Sequence, residues 1–183
     1  INISSERMCM PPIPEELFME GLKQLVSLEK NWIPDIDGAA LYIRPFTIAT
    51  DEFIGVRPSD NYRFFIITSP AGKYYNEPVK VLVETEYIRA VEGGVGYVKN
   101  AGNYGRSLFP NKLAQQRGYQ QIIWTDSKNH RNLEESGTMN LMIVIDDVLI
   151  TPPTSDTILA GITRDSVLTI ARDWDMKVQE RKI

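Results

Sequence analysis

Cysteine and histidine are almost missing from this chain, which has one of each, Cys9 and His130, in 183 residues. A single cysteine cannot close an internal disulfide, so nothing points to an oxidising compartment. Neither residue stands among others at metal-ligand spacing, and a zinc signature, a nucleophile elbow and a Walker motif are all lacking. An excess of basic charge is lacking too. Lys and Arg total 20 against 24 Asp and Glu, for a net charge of −4 with the signs interspersed. That balance leaves no basic footprint and excludes nucleic acid as an expected partner. No apolar run approaches the roughly 20 residues that span a bilayer. The opening Ile1-Asn2-Ile3-Ser4-Ser5-Glu6-Arg7 has neither the basic region nor the apolar core of a signal peptide. With no membrane partner expected, a cytoplasmic location fits. An initiating Met is also absent, and Met176-Lys177-Val178-Gln179-Glu180 alternates like a strand close to the chain end, which suggests a piece of something longer.

What is present is an ordinary globular composition, 43% hydrophobic and 24% charged, in a chain long enough for one large domain or parts of two. Residues 14–30 carry Leu17, Phe18, Leu22, Leu25, Val26 and Leu28 within a broad helical stripe, with Pro14 suited to the first turn. Segments 40–46, 62–68 and 79–83 read as strands, the first ending at Pro45 and the second broken by a turn at Ser69-Pro70-Ala71-Gly72. The sharpest composition break is Glu92-Gly93-Gly94-Val95-Gly96, and a domain boundary is expected just before it, around residues 76–90. Beyond it, 104–116 reads as helix and 119–125 as strand. Residues 139–145 and 148–150 bracket Asp146-Asp147 as a tight hairpin. Gly161 opens a helix that runs to about Trp174. Helices grouped before several strands give an α+β class.

Four short stretches have chemical potential. In Gly93-Gly94-Val95-Gly96-Tyr97-Val98-Lys99-Asn100-Ala101-Gly102-Asn103-Tyr104-Gly105, a lysine among glycines and aromatics could lose solvation and expose a nucleophilic amine, able to condense with an aldehyde. The plainer reading is a glycine-rich loop with a solvated lysine. Glu134-Glu135-Ser136-Gly137-Thr138-Met139-Asn140 puts carboxylates at the mouth of an apolar strand, where one could meet a cationic ring nitrogen or simply be a solvated turn; alternation does not say which glutamate points inward. Leu159-Ala160-Gly161-Ile162-Thr163-Arg164 is either an ordinary helix start or a cradle of backbone N–H groups for a phosphate. In Leu41-Tyr42-Ile43-Arg44-Pro45, strand alternation puts Tyr42 and Arg44 on one face, as a carboxylate clamp or as a surface pair. His130 sits alone in a polar loop.

Taken in order, these stretches resemble a known family. Gly96-Tyr97-Val98-Lys99-Asn100-Ala101-Gly102-Asn103-Tyr104 is similar to the lysine segment of branched-chain amino-acid aminotransferases, fold type IV pyridoxal-phosphate enzymes. Residues 135–164 resemble the class-IV aminotransferase signature, with Met142 where an aromatic is usual. Tyr42-Ile43-Arg44-Pro45 and Gly72-Lys73-Tyr74 lie upstream at family-like separations, so the resemblance covers essentially the whole chain. It implies a truncated two-domain fold type IV architecture. Residues 1–80 would belong to the small α+β domain, 81–92 to the connection, and 93–183 to the first part of the large cofactor-binding domain.

The resemblance implies pyridoxal 5'-phosphate as cofactor, held by Lys99 as a Schiff base, with Lys99 also the catalytic proton carrier. Glu135 would pair with the ring nitrogen and Tyr104 with the ring's phenolic oxygen. Ile162 and Thr163 would bind the phosphate, and Thr138 and Gln121 would lie near the lysine and ring. Tyr42 and Arg44 would handle the side-chain carboxylate of glutamate, and Tyr74 would form an aromatic pocket wall. The implied reaction is reversible amino transfer between leucine, isoleucine or valine and 2-oxoglutarate, with no metal, in a homodimeric parent. Segments that relatives carry on both sides of these residues, including a phosphate-binding arginine, are absent, so this piece is expected to be inactive and its association altered. The nearest rivals are D-amino-acid transaminase and aminodeoxychorismate lyase, which share the fold type; a non-catalytic module is the rival from another class.

Overall fold

In the computed structural model, which describes every residue except Tyr74 and Asn76, a short helix α1 (Asn2–Arg7) is tied down by Asn2. The Asn2 amide donates to the Ile13 carbonyl, and its oxygen accepts from the Ile13 N–H, at 3.0 and 2.9 Å. Helix α2 (Glu15–Glu29) then starts at Pro14, with Glu15 and Glu16 in the first turn, where negative charge suits the positive end of the helix dipole. One turn in, Phe18 meets Phe64 with ring centroids 6.0 Å apart. The helix spans the expected stretch, yet none of its residues is fully buried.

Strands β1 (Ala40–Ala49) and β2 (Tyr62–Ala71) form a long antiparallel ribbon, in register from Ala40 opposite Ala71 to Ala49 opposite Tyr62. Two sequence expectations are corrected here. β1 runs through Pro45 instead of ending there, because in a two-stranded ribbon each strand keeps an outer edge where a missing donor breaks no ladder bond. Ser69 and Pro70 make no turn either; they continue β2 opposite Tyr42 and Leu41. Across the ribbon Phe46 stacks on Phe65 at 5.1 Å, a cross-strand pair of the kind that sets register.

These elements make up one of two compact units, Ile1–Pro78; the other is Val79–Ile183. Residues 81–92, assigned above to a connection, contribute a strand and the buried Arg89 to the second unit. Its first sheet has the order β3-β4-β5-β6, from Val81–Val83, Gln121–Thr125, Leu133–Ser136 and Met139–Asn140. β3 and β4 are parallel, which requires a crossover, and helix α3 (Ala101–Gln116) supplies it. A second sheet orders β7 (Ile143–Ile145), β8 (Val148–Thr151) and β9 (Lys177–Glu180), with helix α4 (Ile162–Asp173) crossing between the parallel pair β8 and β9. Asp146 and Asp147 hold positive φ (50° and 60°) in the β7–β8 hairpin, as a two-residue turn of the primed type demands. Residues 139–145 do not form the single strand expected: β6 pairs with β5 and β7 with β8, so the break at Leu141-Met142 transfers the chain between sheets.

Two apolar clusters support the second unit. Ala114, Ile122 and Trp124 pack with Leu82, Tyr87 and Tyr119, fixing α3 on the first sheet. Leu149, Leu168 and Ala171 pack with Met142 and Val178, fixing α4 on the second. Among the described residues no helix is long and apolar enough to cross a membrane.

Candidate active site

The loop that carries Lys99 is shaped by two asparagines. Asn100 caps α3 with its side-chain oxygen, which accepts from the Asn103 N–H at 3.3 Å; this is a standard helix start. Asn103 in turn donates from its amide to the carbonyls of Val95 and Val98, at 2.8 and 2.9 Å. The loop is thereby pinned on both sides of Tyr97, and Val98 is buried. Gly96 is packed too closely for any side chain: a Cβ there would lie 2.5 Å from the Ala90 Cβ and 2.7 Å from the Asp156 carbonyl. Lys99 itself is exposed. The expected loss of solvation is therefore not found, because Val98 and not Lys99 faces the interior. The Lys99 amine stands 5.4 Å from the centre of the Tyr104 ring.

Glu135 of β5 faces this amine from within the fold. It is 3% exposed, and its Oε1 accepts from the Leu159 N–H at 2.8 Å and from the Asn140 amide at 3.2 Å. Its Oε2 lies 3.0 Å from Arg89 Nε. Burial pushes the carboxyl up to about 6; the charge of Arg89 and the Leu159 N–H pull it back, the nearby Glu134 adds to the rise, and the charge of Lys99 opposes it. Gly161 belongs to the same arrangement, because a Cβ on it would meet Asn140 Oδ1 at 2.1 Å and displace the amide that holds Glu135.

These groups line one narrow cleft, walled by Arg89, Val98, Lys99, Tyr104, Glu135 and Thr138, among others. The structure thus gathers Lys99, Tyr104, Glu135 and Thr138. Gln121 is not among the lining residues; its side chain sits against Gly137. Ile162 and Thr163 do not line the cleft either. They form the first turn of α4, whose N-cap Gly161 follows two residues after the lining Leu159, and Ile162 is 82% exposed. Tyr42 and Arg44 lie side by side on β1 in the first unit, with Arg44 Nη2 donating to the Tyr42 hydroxyl at 3.3 Å. They line a hollow of the ribbon with Ile67, Thr68, Ser69 and Ala71. Tyr74 lies outside the described residues.

Sequence reasoning missed Arg89 and Asn140. Asn140 lies one residue after Met139, and only its long-range contacts distinguish it: its amide donates to Glu135 and to the Leu159 carbonyl. Arg89 had no local signal at all. His130 has a structural part: its Nδ1 meets Thr125 Oγ1 at 2.7 Å. Because that hydroxyl gives its one proton to the Glu84 carbonyl, the ring nitrogen must be the donor. Among the described residues no group of His, Cys, Asp and Glu could hold a metal.

The donor set has a definite chemistry. A primary amine, a phenol and a buried carboxylate converge on one cleft. The carboxylate offers about four acceptor sites, of which Leu159, Asn140 and Arg89 approach three. A further donor, such as a protonated ring nitrogen, is what the remaining capacity suits.

The family model for amino-transferase class IV matches residues 2–183. The chain is similar to branched-chain-amino-acid aminotransferase 2 of Bacillus subtilis, with 47% identity over 186 residues, covering 100% of this chain and 51% of that protein. It is also similar to the solved branched-chain aminotransferase of the archaeon Thermoproteus uzoniensis with norvaline, with a TM-score of 0.86 and 27% identity, covering 99% of this chain and 59% of that one. A third likeness is to the T.th. branched-chain amino acid aminotransferase with pyridoxamine 5'-phosphate, with a TM-score of 0.79 and 26% identity, covering 98% and 58%. The chain therefore spans about half the length of the relatives it matches. In sequence and in its α+β, fold type IV architecture, the chain belongs to the class-IV aminotransferase family.

Proposed function

We propose that these residues form the lysine-bearing part of a pyridoxal-phosphate-dependent transaminase that moves an amino group between branched-chain L-amino acids and 2-oxoglutarate. One observation carries the reading: Lys99, Tyr104, Thr138 and a buried Glu135 line the same cleft. It is supported by the 47% identity to a Bacillus subtilis branched-chain enzyme, and by relatives solved with norvaline and with pyridoxamine 5'-phosphate.

When bound, pyridoxal phosphate supplies an aldehyde for the amine and an electron-poor ring that withdraws charge from the substrate's α-carbon. The residues of the chain do the rest. Lys99 would hold the cofactor and, once released by substrate, carry the proton to and from the α-carbon, a role for which a positioned amine is suited. Glu135 would face the ring nitrogen and keep it protonated, because a buried carboxylate above its pKa is stabilised by an adjoining cation. The Tyr104 hydroxyl would bond the phenolic oxygen of the ring. Thr138 would flank the ring from the turn after β5, with Gln121 behind it. The first-turn N–H groups of Ile162 and Thr163 lack intrahelical partners by the nature of a helix start, and they would bind phosphate. In the first unit, the Arg44 fork and the Tyr42 hydroxyl would take the side-chain carboxylate of glutamate; Tyr74 is proposed as a pocket wall on the family resemblance alone.

Titrating the chain with pyridoxal phosphate while recording absorbance tests the reading. A saturable visible band in the wild type, missing in Lys99→Ala, is the expected result. A band that survives in Lys99→Ala, or no saturable band at all, counts against Lys99 as the attachment point. Bleaching of such a band by leucine and by glutamate, but not by lysine, is expected of the full-length parent, because this chain spans about half the length of the relatives it matches and is itself expected to be inactive.

A further inference from the structure

We propose that Arg89 is the positioning residue of the cleft: its buried guanidinium joins the Glu135 carboxylate to the carbonyls of Gly96 and Thr157, fixing the carboxylate and the lysine-bearing loop relative to each other. Arg89 is 7% exposed, and a buried charge is tolerated only where it is paired and hydrogen-bonded. Its Nε approaches Glu135 Oε2 at 3.0 Å. Its Nη2 donates to the Gly96 carbonyl at 3.0 Å and to the Thr157 carbonyl. Its own carbonyl accepts from Arg106 of α3 at 3.2 Å. Three chain segments that approach one another nowhere in sequence thus meet on one side chain.

The planar fork makes this possible, and a lysine could not copy it, since one ammonium cannot present rigid donors in several directions. Gly96 explains the reach from the other side. Only a residue without a Cβ lets the loop come close enough to Asp156 and Thr157 for one guanidinium to bond both. The Nε–Oε2 contact is a meeting of charges and lacks the alignment of a hydrogen bond, so Arg89 acts on Glu135 mainly through its field. The charged groups around Glu135 are Arg89 and Lys99, which favour its ionised form, and Glu134, which opposes it; the neutral donors are the Leu159 N–H and Asn140. Arg89 is the largest of the influences that keep the carboxylate ionised against its burial.

The inference relies on the proposed function only for the cleft's ligand; the coupling of Arg89 to Glu135 is a property of the chain itself. Its test is therefore made first without cofactor. Infrared titration of the carboxyl band, assigned by difference against Glu135→Gln, is expected to place the Glu135 midpoint near 6 in the wild type. In Arg89→Met it is expected to rise by about one unit or more, a roughly tenfold lower ionised fraction below both midpoints. Arg89→Lys should give a smaller rise, and it is the variant to measure if Arg89→Met does not fold. An unmoved midpoint in a folded variant overturns the proposal, whereas a generally loosened fold would not shift this one band selectively. A second arm adds pyridoxal phosphate. Its apparent affinity should weaken about tenfold in Arg89→Met, and Arg89→Met/Glu135→Gln should lose clearly less than the two single losses combined, because residues that act as one unit are non-additive. Full additivity overturns the proposal. A wild type with no Lys99-dependent band removes the proposed function, while the infrared midpoint still decides the role of Arg89.

Discussion

Glu134 and Glu135 are neighbours on β5, and strand alternation sends them to opposite faces, both buried. Glu135 enters the cleft, while Glu134 turns to Thr157, whose hydroxyl donates to Oε1 at 2.7 Å. Glu134 Oε2 has no hydrogen-bond partner among the described residues. Burial raises its pKa despite the Thr157 hydroxyl and the Arg89 charge. A folded-state pKa above the unfolded one means that stability is fully present below the unfolded value and falls as pH rises through the folded value. Glu134→Gln removes that loss, so its melting temperature relative to wild type should climb as pH rises above 4.5, the ordinary value of the carboxyl. A pH-independent difference in thermal melts would contradict this. Asp126 has the opposite sign. Burial alone would raise its pKa, but the N–H groups of Asn132, Asn129 and Arg131 and the Asn132 amide outweigh it and hold the carboxyl far below its usual range. Asp126→Asn should cost about 1 kcal/mol at neutral pH, after allowance for solvent screening. The deficit should shrink as acid is taken below 3.8, the ordinary value, and denaturant curves at two pH values would show it.

At the scale of elements, β4 carries the most weight. Ile122 and Trp124 are fully buried on it, and the Trp124 indole N–H donates to the Gly137 carbonyl at 3.1 Å, in the turn that follows Glu135. Trp124→Ala should destabilise the second unit by about 3–5 kcal/mol, by the cavity it leaves; Trp124→Phe, which loses the donor but keeps the bulk, should cost clearly less. Chemical denaturation of the pair would separate packing from hydrogen bonding. The lysine loop has the contrary sensitivity. Gly96→Ala adds one methyl where Ala90 and Asp156 leave no room. An overpacking cost of about 1–3 kcal/mol is expected, together with weaker cofactor uptake. Uptake equal to wild type would show that the loop can give way. Boundaries were the least legible feature at this scale. Helices α2 and α4 lay open in their periodicity and their Pro14 and Gly161 starts, whereas β1 and β2 overrode Pro45 and Pro70 because pairing over ten positions outweighs one local preference.

For the whole molecule, the proposed cofactor should act on one unit far more than on the other. The cleft is lined entirely by residues from Arg89 to Leu159, within Val79–Ile183. A ligand at a hundred times its Kd adds about 2.7 kcal/mol to the stability of what it binds. Hydrogen exchange with pyridoxal phosphate should therefore slow at β4, β5 and the lysine loop, and stay unchanged in the β1–β2 ribbon. Equal protection in both units would argue against a cleft confined to the second.

The sequence by itself determined the α+β class, the main helices and the motifs that mark a class-IV aminotransferase, because periodicity, helix starts and contiguous motifs are local properties of a chain. It also placed Tyr42 beside Arg44, since strand alternation is local as well. Only the tertiary structure decided which of two consecutive glutamates enters the cleft, since both faces of β5 are covered and alternation alone has no outside to refer to. It alone moved the β6–β7 segment between sheets, since strand partners are chosen at long range. It alone brought in Arg89, whose partners Gly96, Glu135 and Thr157 lie up to 68 residues away. A buried charge needs its counter-charge in space, and nothing in the order of residues says where that will be.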